Sequence, residues 1–273
     1  MSAIHSARFR SLLVVTVLLF CGRVAIDARQ ELTREQQKEF LLKAKVVNSK
    51  QTKKGVTNPF LLTLSDGSTT HQGVFQSIDQ HKSVMQFPSG QTEINFVDSY
   101  KYNVAAYLLA EMLGLDDIVP VYVERNWNGR VGSLSWVVPV LMDEQDRMKK
   151  KIPAPDPDAW NRQMYKIRVL DELVYDTDAN LTNVLISHDW KIWRVDFTRA
   201  FRRFKDVQNA KNLVRCERRL LEKLKALDGA EFVQRTKRFL TPPEQQGVMA
   251  RRDKIVDYFQ KLIALQGEGA VLY

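Results

Sequence analysis

Cysteine is scarce: Cys21 and Cys216 are the only two in 273 residues. A disulfide-built scaffold is excluded on that count alone. No CxxC pair, no HExxH and no Cys/His cluster occurs, and four histidines do not furnish a His-rich metal centre. The apolar run LLVVTVLLFC, residues 12–21, has ten residues, against the roughly 20 needed to cross a bilayer as a helix. No transmembrane run follows residue 30, and no internal repeat or low-complexity tract is present. Zinc centres, spanning helices and solenoids are thereby set aside.

What the chain does have is size, an apolar fraction of 44% and positive charge. It is long enough to bury a substantial core. A formal net charge of +9 and a pI near 9.5 favour anionic partners without choosing among phosphates, nucleic acid and anionic membranes. Arg8 and Arg10, the apolar run and the small residue Ala28 read as a secretory signal peptide over residues 1–28. A buried or membrane-skimming N-terminal helix is the competing reading. A lipoprotein reading of Cys21 is disfavoured by the bulky Phe20 before it. Export would place the protein in a bacterial periplasm or medium, or in a eukaryotic secretory lumen or outside the cell. Cleavage after Ala28 removes three Arg and one Asp and lowers the net charge from +9 to +7. Cys216 would then stand alone, and its helical spacing with apolar neighbours marks it as a small core residue.

Periodicity gives the organisation. Residues 30–46 predict an amphipathic helix, with Thr33 and Gln36 spaced as a cap pair. Alternation over 53–79, broken at Asp66-Gly67, predicts a hairpin, and SVMQF, residues 83–87, another strand. Residues 99–115 predict a helix ended by Gly114, and 118–141 return to strand character with a turn at Asn128-Gly129. Three prolines stiffen KIPAPDPDAW, residues 151–160. A helix over 160–176 follows, then strands at 184–187 and 191–196, then mostly helix from about 208. This order is α+β: a β-rich N-terminal lobe with one helix at 29–142, a linker at 143–159 and a helical C-terminal lobe at 160–273. A cleft between unequal lobes is where a ligand is expected.

DTDANLTNVLI, residues 176–186, and RVDFTRAF, residues 194–201, carry the chemistry. Asn183 follows Asp178 by five residues, and Asp196 lies thirteen further on. If the intervening strands double back through His188-Asp189, Asn183 comes beside Asp196, with Asp178 just before them on a loop. An amide carbonyl and a carboxylate are hard oxygen ligands suited to Mg²⁺. A second carboxylate within reach can orient or deprotonate a hydroxyl acceptor. His188 reads as an exposed turn residue, and Glu93 as surface. Arg199, Arg202, Arg203 and Lys205 are either an anion-holding rim or a solvated one.

Asp178-x4-Asn183-Val-Leu-Ile and Val195-Asp196-Phe197 resemble the catalytic loop and metal-binding Asp of the protein-kinase-like superfamily. The flavour is that of its atypical branch, which holds the phosphatidylinositol 3- and 4-kinases, the HipA-type kinases and the secreted Fam20-type kinases. NVAAYLLAEMLGLDDIVPVYVER, residues 103–125, is similar to the helix and following strand of that branch. The likeness spans roughly residues 40–205. It implies a bilobal fold, with a small antiparallel sheet in the N-terminal lobe and helices in the C-terminal one. It further implies ATP with Mg²⁺ or Mn²⁺ as cofactors and an acceptor, protein or small molecule, that the residues do not name. By the same resemblance Asp178 is the Asp that positions the acceptor, and Asn183 and Asp196 are metal ligands. Asn180 or Thr182 would support the loop, and Asp176 a turn or the site behind it.

The pattern departs in the N-terminal half. In these kinases a Lys on the third strand holds the nucleotide phosphates and pairs with a Glu on the next helix. Here QGVFQSID places Gln76 at the Lys, and Asn103 stands near the Glu, with Glu111 a poorer candidate. The two changes match, because an amide pair stays neutral where a lone buried charge would be uncompensated. Lys82, or Lys53 and Lys54 beside Gly55, could supply positive charge instead. GVTNPF lacks the G-x-G-x-x-G cradle. Three functions follow: a metal-dependent phosphotransferase, a catalytically degenerate scaffold that binds a protein partner, and a basic binder of anions or nucleic acid. The last is disfavoured by the absence of any nucleic-acid-binding motif.

Overall fold

The computed structural model describes residues 32–52 and 59–273. The expected signal peptide, and Lys53, Lys54 and Gly55, lie outside them. Helix α1 (Arg34–Lys43) starts at the expected capping box: the Gln36 amide donates to Thr33 Oγ1 and the Thr33 amide to Gln36 Oε1. The helix is shorter than expected, because the chain turns at Ala44 into β1 (Lys45–Gln51). β2 (Phe60–Ser65) and β3 (Thr70–Gln76) form the hairpin about Asp66-Gly67. Asp66 Oδ1 accepts from the Ser68 and Thr69 amides, which closes the turn.

A second hairpin, β4 (Asp79–Gln86) and β5 (Thr92–Ser99), forms its own two-stranded sheet. It delivers the chain to α2 (Tyr100–Leu113), where Ser99 caps the first turn and Gly114, at φ 68°, ends the helix in a conformation that glycine adopts without strain. β6 (Tyr122–Trp127) and β7 (Arg130–Trp136) turn at Asn128-Gly129, both at positive φ as a type I′ hairpin requires. These strands complete a five-stranded antiparallel sheet in the order β1-β2-β3-β7-β6, against which α1 and α2 pack.

The second half is mostly helical. β8 (Met142–Asp143) and α3 (Glu144–Lys149) occupy part of the stretch expected as a linker. α4 (Pro157–Val174) begins with Pro157 in its first turn and Asp156 as its cap, so the proline run starts a helix instead of only stiffening a connection. β9 (Val184–Ile186) and β10 (Ile192–Arg194) pair as expected, and β8 adds a third strand to them. Helices α5 (Arg218–Ala226), α6 (Gly229–Thr236), α7 (Pro242–Gln266) and α8 (Glu268–Val271) close the chain.

The fold is therefore α+β, with antiparallel sheets first and helices after. One apolar core runs through it, from Leu62, Phe75 and Leu134 of the sheet through Leu109 of α2 to Leu173, Phe197, Phe201 and Phe259. Cys216 is buried within it, and burial pushes its thiol up to about 12, as expected of a core residue. No helix among the described residues is long and apolar enough to cross a membrane.

Candidate functional site

The segment between α4 and β9 is a chain of local hydrogen bonds. Asp176 is buried, and its Oδ1 accepts the Asp178 amide at 2.8 Å. Asn180 Oδ1 accepts the Thr182 amide at 3.0 Å, and Asn180 Nδ2 donates to Asp178 Oδ1 at 3.2 Å. A short 3-10 turn, Leu181–Asn183, then leads into β9. Asn183 Nδ2 reaches back to the Asp178 carbonyl at 3.2 Å, and the Asn183 carbonyl accepts the Val195 amide at 3.0 Å. The doubling back of the strands thus brings Asn183 beside the Val195-Asp196 peptide, with Asp178 tied to Asn183 and exposed. His188 is exposed in the strand turn.

Asp196 follows directly, at φ 61°. That left-handed backbone is uncommon for a residue other than glycine and takes the chain out of the strand. Its amide donates to the Tyr122 hydroxyl at 3.2 Å. Its Oδ1 is sealed from solvent and has no hydrogen-bond donor. Burial pushes the carboxyl above the usual carboxylate range, with Arg194 and Thr198 acting against the shift. An oxygen in that state is one a cation would satisfy.

Arg194 organises the set, and nothing in the sequence singled it out. It is wholly buried. Its Nε donates to Asp171 Oδ1 at 2.9 Å, and its terminal nitrogens to Asp176 Oδ2 and to the carbonyls of Val195 and Asp196. Burial alone would lower its pKa; Asp171 and Asp176 hold it above the ordinary value instead. One guanidinium therefore ties α4, the loop before Asp178 and the turn at Asp196.

Asp171 carries the cost. Burial raises its carboxyl to about 6, though Arg194 opposes the shift. A raised folded-state pKa means that the folded chain binds this proton more tightly than the unfolded chain does. The contribution is therefore complete below the unfolded pKa near 4 and is lost as pH rises through about 6. A denaturation series from pH 4 to 7 should show a downward slope of roughly 2 kcal/mol from this group. Asp171→Asn should flatten it, and an unchanged slope in that variant would refute the assignment.

On the sheet side, Gln76 ends β3 and Asn103 lies in α2, both buried. Asn103 Nδ2 donates to Gln76 Oε1 at 2.7 Å and stands 3.1 Å from Ser133 Oγ. Asn103 Oδ1 accepts the Phe197 amide at 2.7 Å. The two residues expected to pair do so, and the pair is joined to the peptide that follows Asp196. Glu111 is committed elsewhere, to Lys38 and Arg235, each at 2.7 Å. Lys82 does not join the amide pair: it is exposed on β4, 3.5 Å from Met85 Sδ and 6.0 Å from the Phe96 ring.

Glu93 is not a free surface acid. It pairs with Arg199 and with Arg202, so the hairpin grips the segment after Asp196. Arg202 is itself buried and also donates to the Val97 carbonyl. Only Arg203 and Lys205 of the basic quartet are exposed. Asp98, which sequence reasoning passed over, lies at the same junction. Its pKa is raised by burial, and Asp178 adds to the rise.

A cavity of about 470 Å³ opens behind the loop, lined by Asp171, Asp176, Asn180 and Gln208 among others. Asp178, Asn183 and Asp196 do not line it. Among the described residues no group of three or more His, Cys, Asp or Glu side chains is arranged to hold a metal ion. Any cation site at Asp196 therefore draws on Asn, hydroxyl or carbonyl oxygens as well. No family model matches the chain, and no curated protein matches it. Among solved structures, the chain is similar to the crystal structure of a Helicobacter pylori proinflammatory kinase, CtkA, with a TM-score of 0.49 and 11% identity, over 83% of this chain and 98% of that one.

Proposed function

We propose that the chain is a two-lobed, kinase-like phosphotransferase in which Asn183 and Asp196 hold a divalent cation and Asp178 positions the acceptor hydroxyl. The observation that supports it is the hydrogen-bonded run from Gln76 through Asn103 to the Phe197 amide. It joins the strand and the helix where the resemblance puts the phosphate-holding Lys and its Glu partner to the residue next to Asp196, which the resemblance makes a metal ligand. The sealed, donor-less Oδ1 of Asp196 fits a hard cation. Mg²⁺ or Mn²⁺ bound there would neutralise charge on the phosphates of a nucleotide. Asp178, exposed, held at its amide by Asp176 and at Oδ1 by Asn180, has a second carboxylate oxygen with which to accept from a substrate hydroxyl.

One observation favours a second reading, a scaffold without chemistry. Gln76 offers the phosphates a neutral amide donor and no charge, which is the weaker interaction. Calorimetric titration with ATP, with and without Mg²⁺ or Mn²⁺, decides between them. Metal-dependent binding that Asp196→Ala abolishes in a folded protein is the expected result. Absence of nucleotide binding under either metal would overturn the phosphotransferase reading and leave the scaffold.

A further inference from the structure

We infer that the cavity behind the loop binds a small apolar α-amino acid, with Arg168 taking its carboxylate and Asp171 its ammonium group. The inference goes beyond the reading of Asp196, since Asp178, Asn183 and Asp196 do not line this cavity. Its volume of about 470 Å³ is that of a small-ligand pocket. Met164, Arg168 and Asp171 all line it, and they follow one another along α4 at spacings of four and three residues. One face of the helix thus runs apolar, cationic, anionic. Ile167, Leu181 and Val184 add apolar wall.

The other charged groups of the wall are already committed. Glu172 is buried; its Oε1 accepts from Asn212 Nδ2 at 2.8 Å and its Oε2 from the Asn209 amide at 3.0 Å. Asp176 divides its oxygens between the Asp178 amide and Arg194. Two charges are left over. Arg168 is half-buried, and no carboxylate pairs with it among the described residues; its guanidinium lies 5.8 Å from the Tyr165 ring. Asp171 gives Oδ1 to Arg194 Nε, while its Oδ2 accepts no hydrogen bond and its side chain keeps 20% exposure. Its raised carboxyl reflects the same shortage of positive charge. A simple anion in the cavity would face Asp171 unpaired, and a simple amine would leave Arg168 unpaired. A zwitterion satisfies both, and the apolar wall suits an apolar side chain. Thr177, Asn180 and Leu181 belong to the segment that carries Asp178 and also line the cavity, so a ligand there would contact that segment.

The test is calorimetric titration of L-leucine and L-methionine into wild type, Arg168→Gln and Asp171→Asn, each variant shown to be folded by circular dichroism. Isoamylamine and 4-methylpentanoate serve as leucine analogues that lack the carboxylate and the ammonium group respectively. At least one of the amino acids should bind wild type, and each substitution should weaken that binding about 10–100-fold. The analogues should bind more weakly than leucine, the amine indifferent to Arg168→Gln and the acid to Asp171→Asn. Loss of structure does not produce that crossed pattern. Hydrogen exchange over residues 176–184 should slow when the amino acid is bound, which places it in this cavity. Absence of binding by both amino acids at millimolar concentration, unchanged affinity in both variants, or protection confined to other segments would each overturn the inference.

Discussion

Arg194→Met should leave the chain about 3–5 kcal/mol less stable, or prevent it from folding. The side chain has no exposure and contacts three separate parts of the fold. Methionine restores much of the apolar stem but none of the charge, so Asp171 and Asp176 would face each other in a buried setting with nothing between them. Asp171 can respond by taking a proton, which its raised pKa already favours. Asp176 keeps its Oδ1 on the Asp178 amide and loses the partner of its Oδ2. Adding Asp171→Asn to Arg194→Met should recover part of the loss, since a neutral amide needs no counter-charge. Urea denaturation of the three proteins measures this. A loss below about 1 kcal/mol in Arg194→Met would show that the guanidinium is not what holds the loop.

How much of this was legible depends on whether the controlling physics is local. The Thr33–Gln36 cap, the Asp66-Gly67 and Asn128-Gly129 turns and the α2 stop at Gly114 rest on backbone conformations that particular residues favour, and all were readable. β1 and the β4–β5 hairpin were not read, or only in part. The side chains of β1 and β4 are largely exposed on both faces, so no alternation marks them, and those of β5 are buried or half-buried from Phe96 on without alternating. At the site, the acids and Asn183 could be found because their spacing suggested a returning strand. Arg194 could not: a buried arginine and a solvated one look alike until the partners 18 and 23 residues away are seen to converge on it. Glu93 fails for the same reason, its meaning residing in ion pairs with Arg199 and Arg202 about a hundred residues on. One available signal was missed, the cluster of arginines and acids at the junction, which reads as pairing when both signs are counted together.

The amide pair offers the sharpest comparison between charge and neutrality at this site. Gln76→Lys alone should cost roughly 3 kcal/mol, because an ammonium would enter a buried position beside Asn103 and Ser133 with no counter-ion. Asn103→Glu alone should cost a similar amount, since it removes the donor to Gln76 while adding a buried anion. A glutamate can still accept the Phe197 amide, so that connection need not be lost. The double variant rebuilds an ion pair and should be more stable than the two single losses predict, with a coupling of about 2 kcal/mol. Additive losses would mean that the two side chains do not face each other as described. The same protein also probes the chemistry. If the cleft handles nucleotide phosphates, a lysine at 76 adds a charge-assisted donor, and the double variant should bind Mg²⁺-ATP more tightly than wild type. If the neutral pair instead marks a scaffold whose nucleotide site is gone, stability will recover in the double variant while ATP affinity stays absent. Stability and binding are thus read from one set of variants, and only the first depends on the fold alone.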